Sequence, residues 1–292
     1  MFLYYTVNKK NLTIDYILKN ELNISSRLRL KLINNNSIYL NDVLVDTRKI
    51  ASIGDKLKID LNYKEDNSNI VPAKMKLDII YEDEGFMILN KPSGIPTHPS
   101  MLHFKNSLSN GVKYYFDSIN LDKKIRPVNR LDLHTSGLII FAKNEYIQEC
   151  LIHQMKTNEF KKEYTAAVNG ILDKKTGIIS KPIARKQESI IERCIDKNGK
   201  PSITYYEVLE ELNNKYSIVK CTLKTGRTHQ IRVHFASVGH SLVGDSLYGE
   251  KSSDYSGQLL ICSKLSFIHP ITKKAVSFSL DNSKDNLLKI LK

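Results

Sequence analysis

Residues 129–144 read NRLDLHTSGLIIFAKN. The run from Leu138 to Ala142 is apolar throughout, the composition of a strand buried on both faces inside a sheet, and Gly137 just before it supplies a tight turn. One carboxylate, Asp132, stands at the entrance to this strand, two residues after Arg130. Such an acid is paired, exposed or functional, because an unpaired charge in an apolar cleft is strongly disfavoured. From this stretch alone, a turn carboxylate capping local amides through Thr135 and Ser136 accounts for Asp132 as well as catalysis does.

Further strand-like runs lie on either side: LDIIYED, FMILNKP, YTAAVNG, SITYYEVLEEL, YSIVKCTL and KAVSFSL. Helical periods fit NSLSNGVKYYF and YIQECLIHQMKTN. Many short strands with few helices predict an α+β domain over residues 77–292, built on a mixed or antiparallel sheet. Within it, KTGRTHQIRVHFASVGH (224–240) gathers Arg227 and Arg232 among His229, Gln230 and His234. The spacing predicts a helix from Thr228 with Ile231, Phe235 and Val238 toward the core, ended by Gly239. This basic, hydrogen-bonding element is what a buried carboxylate needs as a partner. FKKEYTAAVNG (160–170) starts a strand near Tyr164, behind Lys161 and Lys162.

Upstream, residues 12–60 read as a small unit. Ser25 can cap a helix that places Leu28 and Leu32 on one face and Arg27 and Lys31 on another. SIYLNDVLV then alternates around an Asn41-Asp42 turn, predicting a hairpin, and Gly54-Asp55 turns into a last short strand. NYKEDNSNIVPAKMK is polar and aperiodic, so the expected organisation is a module over 1–62, a linker over 63–76 and the large domain beyond.

Composition narrows the partners. Lys and Arg outnumber Asp and Glu by 44 to 31, a formal charge of +13, which favours nucleic acid ahead of an acidic membrane surface. A high Asn, Lys and Ile content also mirrors an AT-rich genome, so charge alone is a modest argument. No apolar run approaches the ~20 residues of a membrane span, and MFLYYTV lacks the basic start and cleavage site of a signal sequence. A cytoplasmic protein is expected. The cysteines Cys150, Cys194, Cys221 and Cys262 form no CxxC pair, His229 and His234 lie five apart, and neither HExxH, GxGxxG nor GxxxxGK occurs. The sequence therefore implies neither a metal nor a cofactor. Lys123, Lys124, Arg126 and Arg130 cluster just before Asp132, placed either to hold an RNA backbone or to form a solvated loop. An Asp132–Glu163 glycosidase pair fits so basic a chain poorly.

RLDLHTSGLIIFAKN, KKEYTAAVNG and TGRTHQIRVHFASVGHSLVGDSLYG resemble, in that order, the three signature blocks of the RluA/RluD family of RNA pseudouridine synthases. EDEGFMILNKPSGIPTHPS and LSFIHPITKKAVSFS are similar to flanking parts of the same family, and the likeness covers about residues 77 to 280. Residues 12–61 resemble the alpha-L RNA-binding motif, with Asn36 and Asp42 where glycines are usual. Asn and Asp tolerate the left-handed conformation better than most residues. The resemblance implies the central sheet of that family with a small αβ RNA-binding domain in front. It makes Asp132 the catalytic aspartate, Arg232 its basic partner and Tyr164 the aromatic residue against the target uracil, with Arg130 entering the RNA and Arg227, Arg27 and Lys31 among the expected RNA contacts. Asp132 would either attack ribose C1′ or remove the 2′ proton, and no cofactor would take part. Two departures stand out: Asn129 replaces the family's usual His, which implies altered RNA contacts, and Cys262-Ser263 replaces a common His-Ala pair. Large-subunit ribosomal RNA is the favoured substrate and transfer RNA the other possibility, with no obligate protein partner evident. The competing reading from another class is a non-catalytic RNA-binding or ribosome-assembly protein on the same scaffold.

Overall fold

The apolar run that opened the sequence forms the strand Ser136–Ala142, buried from Gly137 onward. It lies inside a ten-stranded sheet of the computed structural model, which describes residues 1–250 and 254–291. The main path of that sheet runs Thr176–Ser180, Ile203–Leu212, Tyr216–Leu223, Lys161–Asn169, Leu260–Ile268, Ser136–Ala142, Phe86–Lys91 and Ile79–Glu82. Its pairings are antiparallel except between Ser136–Ala142 and Leu260–Ile268. The α+β class and the mixed, largely antiparallel sheet are therefore as the sequence predicts. The two helical periods appear as Leu108–Ser118 and Glu145–Thr157.

Three strands meet at one register. Cys262 is opposite Gly137 on one side and opposite Tyr164 on the other. Gly137 has φ +105°, and a Cβ there would lie 2.3 Å from the Cys262 carbonyl oxygen, so the approach requires glycine. A register shift between Glu163 and Tyr164 interrupts the ladder at the same level, and the run from Tyr164 to Val168 is buried.

The helix of the basic block starts later than the spacing predicts, at Gln230–Ala236, because His229 takes a left-handed conformation (φ 56°). Val238 lies past its end and is exposed rather than in the core.

In the small unit, Phe2–Thr6, Lys56–Asp60, Ile38–Leu40 and Val43–Leu44 form a four-stranded sheet. MFLYYTV, which lacks the marks of a signal sequence, thus supplies a strand. Ser25 caps Ser26–Asn34 by accepting from the Leu28 amide at 3.1 Å, and Leu28 and Leu32 are fully buried. Asn41 and Asp42 both have positive φ, as a two-residue hairpin turn of the primed type demands, and Asn36 does too.

The segment 63–76 is not the free spacer its composition suggests. The Glu65 side chain, 5% exposed, accepts from both terminal nitrogens of Arg126, at 2.7 and 2.6 Å. Lys123 is buried as well, donating to the carbonyls of Leu61 (2.6 Å) and Tyr63. The small unit itself is tied down by Ser25 Oγ on Glu149 (2.5 Å) and by Lys31 on Glu145. Lys31 also reaches Glu65 at 3.6 Å. Its basic helix face is therefore partly an intramolecular contact.

Candidate active site

Asp132 owes its position to its backbone neighbours. The Leu131 carbonyl accepts from Thr97 Oγ1 (3.2 Å), the Leu133 carbonyl from the Gly94 amide (3.0 Å), and the His134 carbonyl from Ser93 Oγ (3.0 Å). Lys91, with no exposed surface, directs its ammonium at the carbonyls of Pro92 (2.9 Å), Ile95 (2.6 Å) and Leu133 (3.0 Å). The segment KPSGIPT thus clamps the loop that carries the acid. Burial lowers the Lys91 pKa to about 8, against the opposing pull of Asp132.

The local turn uses the Asp132 carbonyl, which accepts from the Thr135 amide at 3.1 Å. The carboxylate turns elsewhere, to Arg232 Nη1 at 3.2 Å and His229 Nε2 at 3.8 Å, so it is not a turn cap. It remains about a quarter exposed, at 28%. It looks into a cavity of about 800 Å³ whose wall includes Arg130, Tyr164, Arg227, His229 and Arg232.

Arg232 is fixed by a second acid that the sequence reading assigned no role. Its Nε and Nη2 donate to the two oxygens of Asp245, each at 2.7 Å, and Asp245 is fully buried. Asp245 also accepts from the amides of Leu247 (3.1 Å) and Tyr248 (3.3 Å). The ring of Tyr248 lies 5.0 Å from the guanidinium. Burial works against the Arg232 charge, but the bonds to Asp245 and Asp132 more than offset it and its pKa is raised. The signal for Asp245 was its place in HSLVGDSLYG; no period or spacing marks it.

His229 completes the contact. Its Nδ1 shares a hydrogen bond with Tyr248 Oη at 2.7 Å, and that oxygen accepts from the Arg193 amide at 2.8 Å. The direction of the His229–Tyr248 bond follows the histidine tautomer, and either tautomer leaves Nε2 turned toward Asp132. A left-handed non-glycine residue is the kind of strained backbone that collects at functional sites.

Tyr164 lies in the wall at 6% exposure. Burial, then the neighbouring Cys262 and Asp132, raise its pKa well above the ordinary value, so it stays a neutral phenol. Lys162 lines the same wall, and burial keeps its pKa below the ordinary range.

The remaining expected RNA contacts divide. Arg130 and Arg227 are exposed at the cavity, and Lys124 and Arg27 are exposed outside it. Lys123 and Arg126 are not in the cavity; their charges are engaged inside the protein by the carbonyls and Glu65 described above, and Lys31 is held by Glu145. Asn129 is buried, accepting from the Ile140 amide (2.9 Å) and donating to the Leu138 carbonyl (3.2 Å). Its side chain therefore supports the central strand, and the residue also belongs to the cavity lining. Glu163 pairs loosely with Lys264 at 3.9 Å and does not line the cavity, so no carboxylate pair forms with Asp132.

A family model described as RNA pseudouridylate synthase matches residues 85–237. The chain is 37% identical to the uncharacterized RNA pseudouridine synthase YhcT of Bacillus subtilis, over 89% of this chain and 86% of that protein. It is 33% identical to the ribosomal large subunit pseudouridine synthase D of Blochmanniella floridana, covering 98% and 96%. Among solved structures it resembles human RNA pseudouridylate synthase domain containing 1, with TM-score 0.60 and 28% identity over 70% of this chain and 83% of that one.

Proposed function

This chain belongs to the RNA pseudouridylate synthase family, and from that premise we propose that it isomerises specific uridines of large-subunit ribosomal RNA, with Asp132 as the catalytic acid and without a cofactor. The observation that carries the role of Asp132 is its carboxylate at a cavity wall, 3.2 Å from a guanidinium that a buried second acid holds in place. The similarity to a ribosomal large subunit synthase along nearly the whole chain supports the substrate class, and such a substrate implies the cytoplasm.

Pseudouridine formation breaks the C1′–N1 bond, turns the uracil, joins C5 to C1′, and moves the C5 hydrogen away while N1 gains one. Asp132 either attacks C1′ or removes the 2′ proton. Arg232 pairs with its carboxylate and orients it in both routes. Tyr164, kept neutral by burial, supports the uracil face and can donate a hydrogen bond but is poorly suited to start as a base. Leu131 and Leu260 in the wall limit water while the base is detached. Extruding a uridine costs a few kcal/mol, which exposed Arg130 and Arg227 at the cavity help offset.

The test is tritium release from ribosomal RNA labelled at uracil C5, with transfer RNA in parallel. The wild-type protein is expected to release tritium from ribosomal RNA, whereas Asp132→Asn binds the RNA and releases none. Release by the variant at the wild-type rate would remove Asp132 from the mechanism. A wild-type protein that binds both RNAs and releases nothing would favour the non-catalytic binding reading.

A further inference from the structure

A second depression, of about 270 Å³, lies where the small unit meets the catalytic unit. Arg27 of the helix Ser26–Asn34 lines it from the small unit, and Lys124, Pro127, Glu145 and Gln148 line it from the catalytic unit. His98 borders this cleft and also the catalytic cavity. The chain lines the two in succession, Lys124 to Pro127 in the cleft and Val128 to Asp132 in the cavity. Even fully extended, the backbone from Lys124 to Asp132 spans at most about 29 Å. The cleft is therefore a continuation of the cavity, within reach of a strand whose uridine occupies it.

Its charges are sorted by burial. Glu145 is the acid in the lining, with its side chain 9% exposed, and it faces Lys31, Arg27 at 3.7 Å and Arg126 at 3.8 Å. Glu65 behind it is matched by Arg126. The inner cations thus neutralise the inner acids. Arg27, 77% exposed, and Lys124 remain facing solvent; with exposed Asp66 close enough to feel the charge of Lys124, the cations Arg27, Lys31, Lys124 and Arg126 still outnumber the acids Glu65, Asp66 and Glu145. His98 is exposed between the two chambers, and partial desolvation of its ring, then the Arg130 charge, lowers its pKa, leaving a neutral ring that can face a base.

We propose that this cleft is the track for the RNA strand flanking the uridine in the cavity, with Arg27 of the small unit and Lys124 of the catalytic unit holding its phosphates. The proposal rests on the RNA isomerase reading and deepens it. The small unit then acts as a fixed wall whose distance from the catalytic unit is set by the Lys31, Glu145, Arg126 and Glu65 contacts.

The test uses the full-length chain, with retention of a labelled large-subunit ribosomal RNA transcript titrated over a salt series. Replacing Arg27→Gln and Lys124→Gln together should weaken binding several-fold at low salt. It should also reduce the slope of log affinity against log salt by about 1.4, the loss of two single-strand phosphate contacts. Lys174→Gln with Lys289→Gln removes the same charge from exposed positions outside the cleft and should leave the slope as in wild type. A cleft variant whose slope matches this control overturns the track. Tritium release, followed in parallel, separates the two failures: wild-type release with an unaltered slope overturns the track alone, and no release by wild type overturns the isomerase reading and the track with it.

Discussion

At the scale of single residues, the position proposed for catalysis, Asp132, depends on buried groups. Asp245 holds two nitrogens of Arg232, leaving the third for Asp132. Removing it by Asp245→Ala strands a buried guanidinium, and breaking such a pair costs about 3–5 kcal/mol. The urea midpoint should fall accordingly, and tritium release should be lost even where the chain remains folded; an unchanged midpoint would mean that water or another acid replaces Asp245. Lys91 gives a pH signature. Its pKa is about 8 when folded against 10.5 for an unperturbed lysine, so between those values the unfolded chain holds more protons. Burying the ammonium costs stability below pH 8, and the cost fades as pH rises through the folded pKa, so the Lys91 contribution to stability rises from pH 8 to 10.5. Lys123, lowered to about 8 mainly by burial, adds a rise of the same sign. In Lys91→Met the unfolding free energy should climb less steeply across that window, by up to about 1.4 kcal/mol per pH unit. Equal slopes in wild type and variant would show that Lys91 does not titrate there.

At the scale of elements, the register of three central strands brings the site together. Gly137, Cys262 and Tyr164 are neighbours across the sheet, and the Asp132 loop enters immediately before Gly137. Gly137→Ala would set a Cβ 2.3 Å from one backbone atom of Cys262 and 2.6 Å from another, in a conformation with φ +105° that side chains rarely adopt. Strain and overpacking together should cost about 3 kcal/mol or more, and the displaced loop should slow catalysis. Thermal melting and single-turnover tritium release check both, and a melting temperature equal to wild type would show that the parallel pairing yields easily. These strands were legible because apolar runs and turn residues are local signals. The helix start at Gln230 was misplaced because the left-handed turn at His229 has no glycine to announce it. Asp132, Tyr164 and Arg232 stood out as an acid, an aromatic and a cation in distinctive blocks, and the fold brings them to one cavity. The burial of Lys123 and Arg126 was not legible for the opposite reason: charge is visible in a sequence, but packing against Leu61, Tyr63 and Glu65 is decided by chain some sixty residues away.

At the scale of the whole molecule, the composition suggested two bodies joined by a spacer, whereas the contacts make the join part of the packing. Lys31 sits against Glu145, Ser25 against Glu149, and the Leu61 carbonyl over the Lys123 ammonium. A chain lacking residues 1–62 loses all three partners at once and leaves Glu149, the Lys123 donor and the apolar surface beneath the small unit to water. Its catalytic unit should consequently unfold at lower urea than the full chain, a result that a simple tether would not produce. RNA affinity should fall as well, while turnover on a short stem-loop persists in part, because Asp132, Tyr164, Arg232 and Asp245 all lie beyond the cut. The two losses can be told apart by measuring affinity well below the unfolding midpoint. Undiminished affinity there would deny the small unit any role as an RNA anchor, and undiminished stability would mean that the buried ion pairs only balance the desolvation they require.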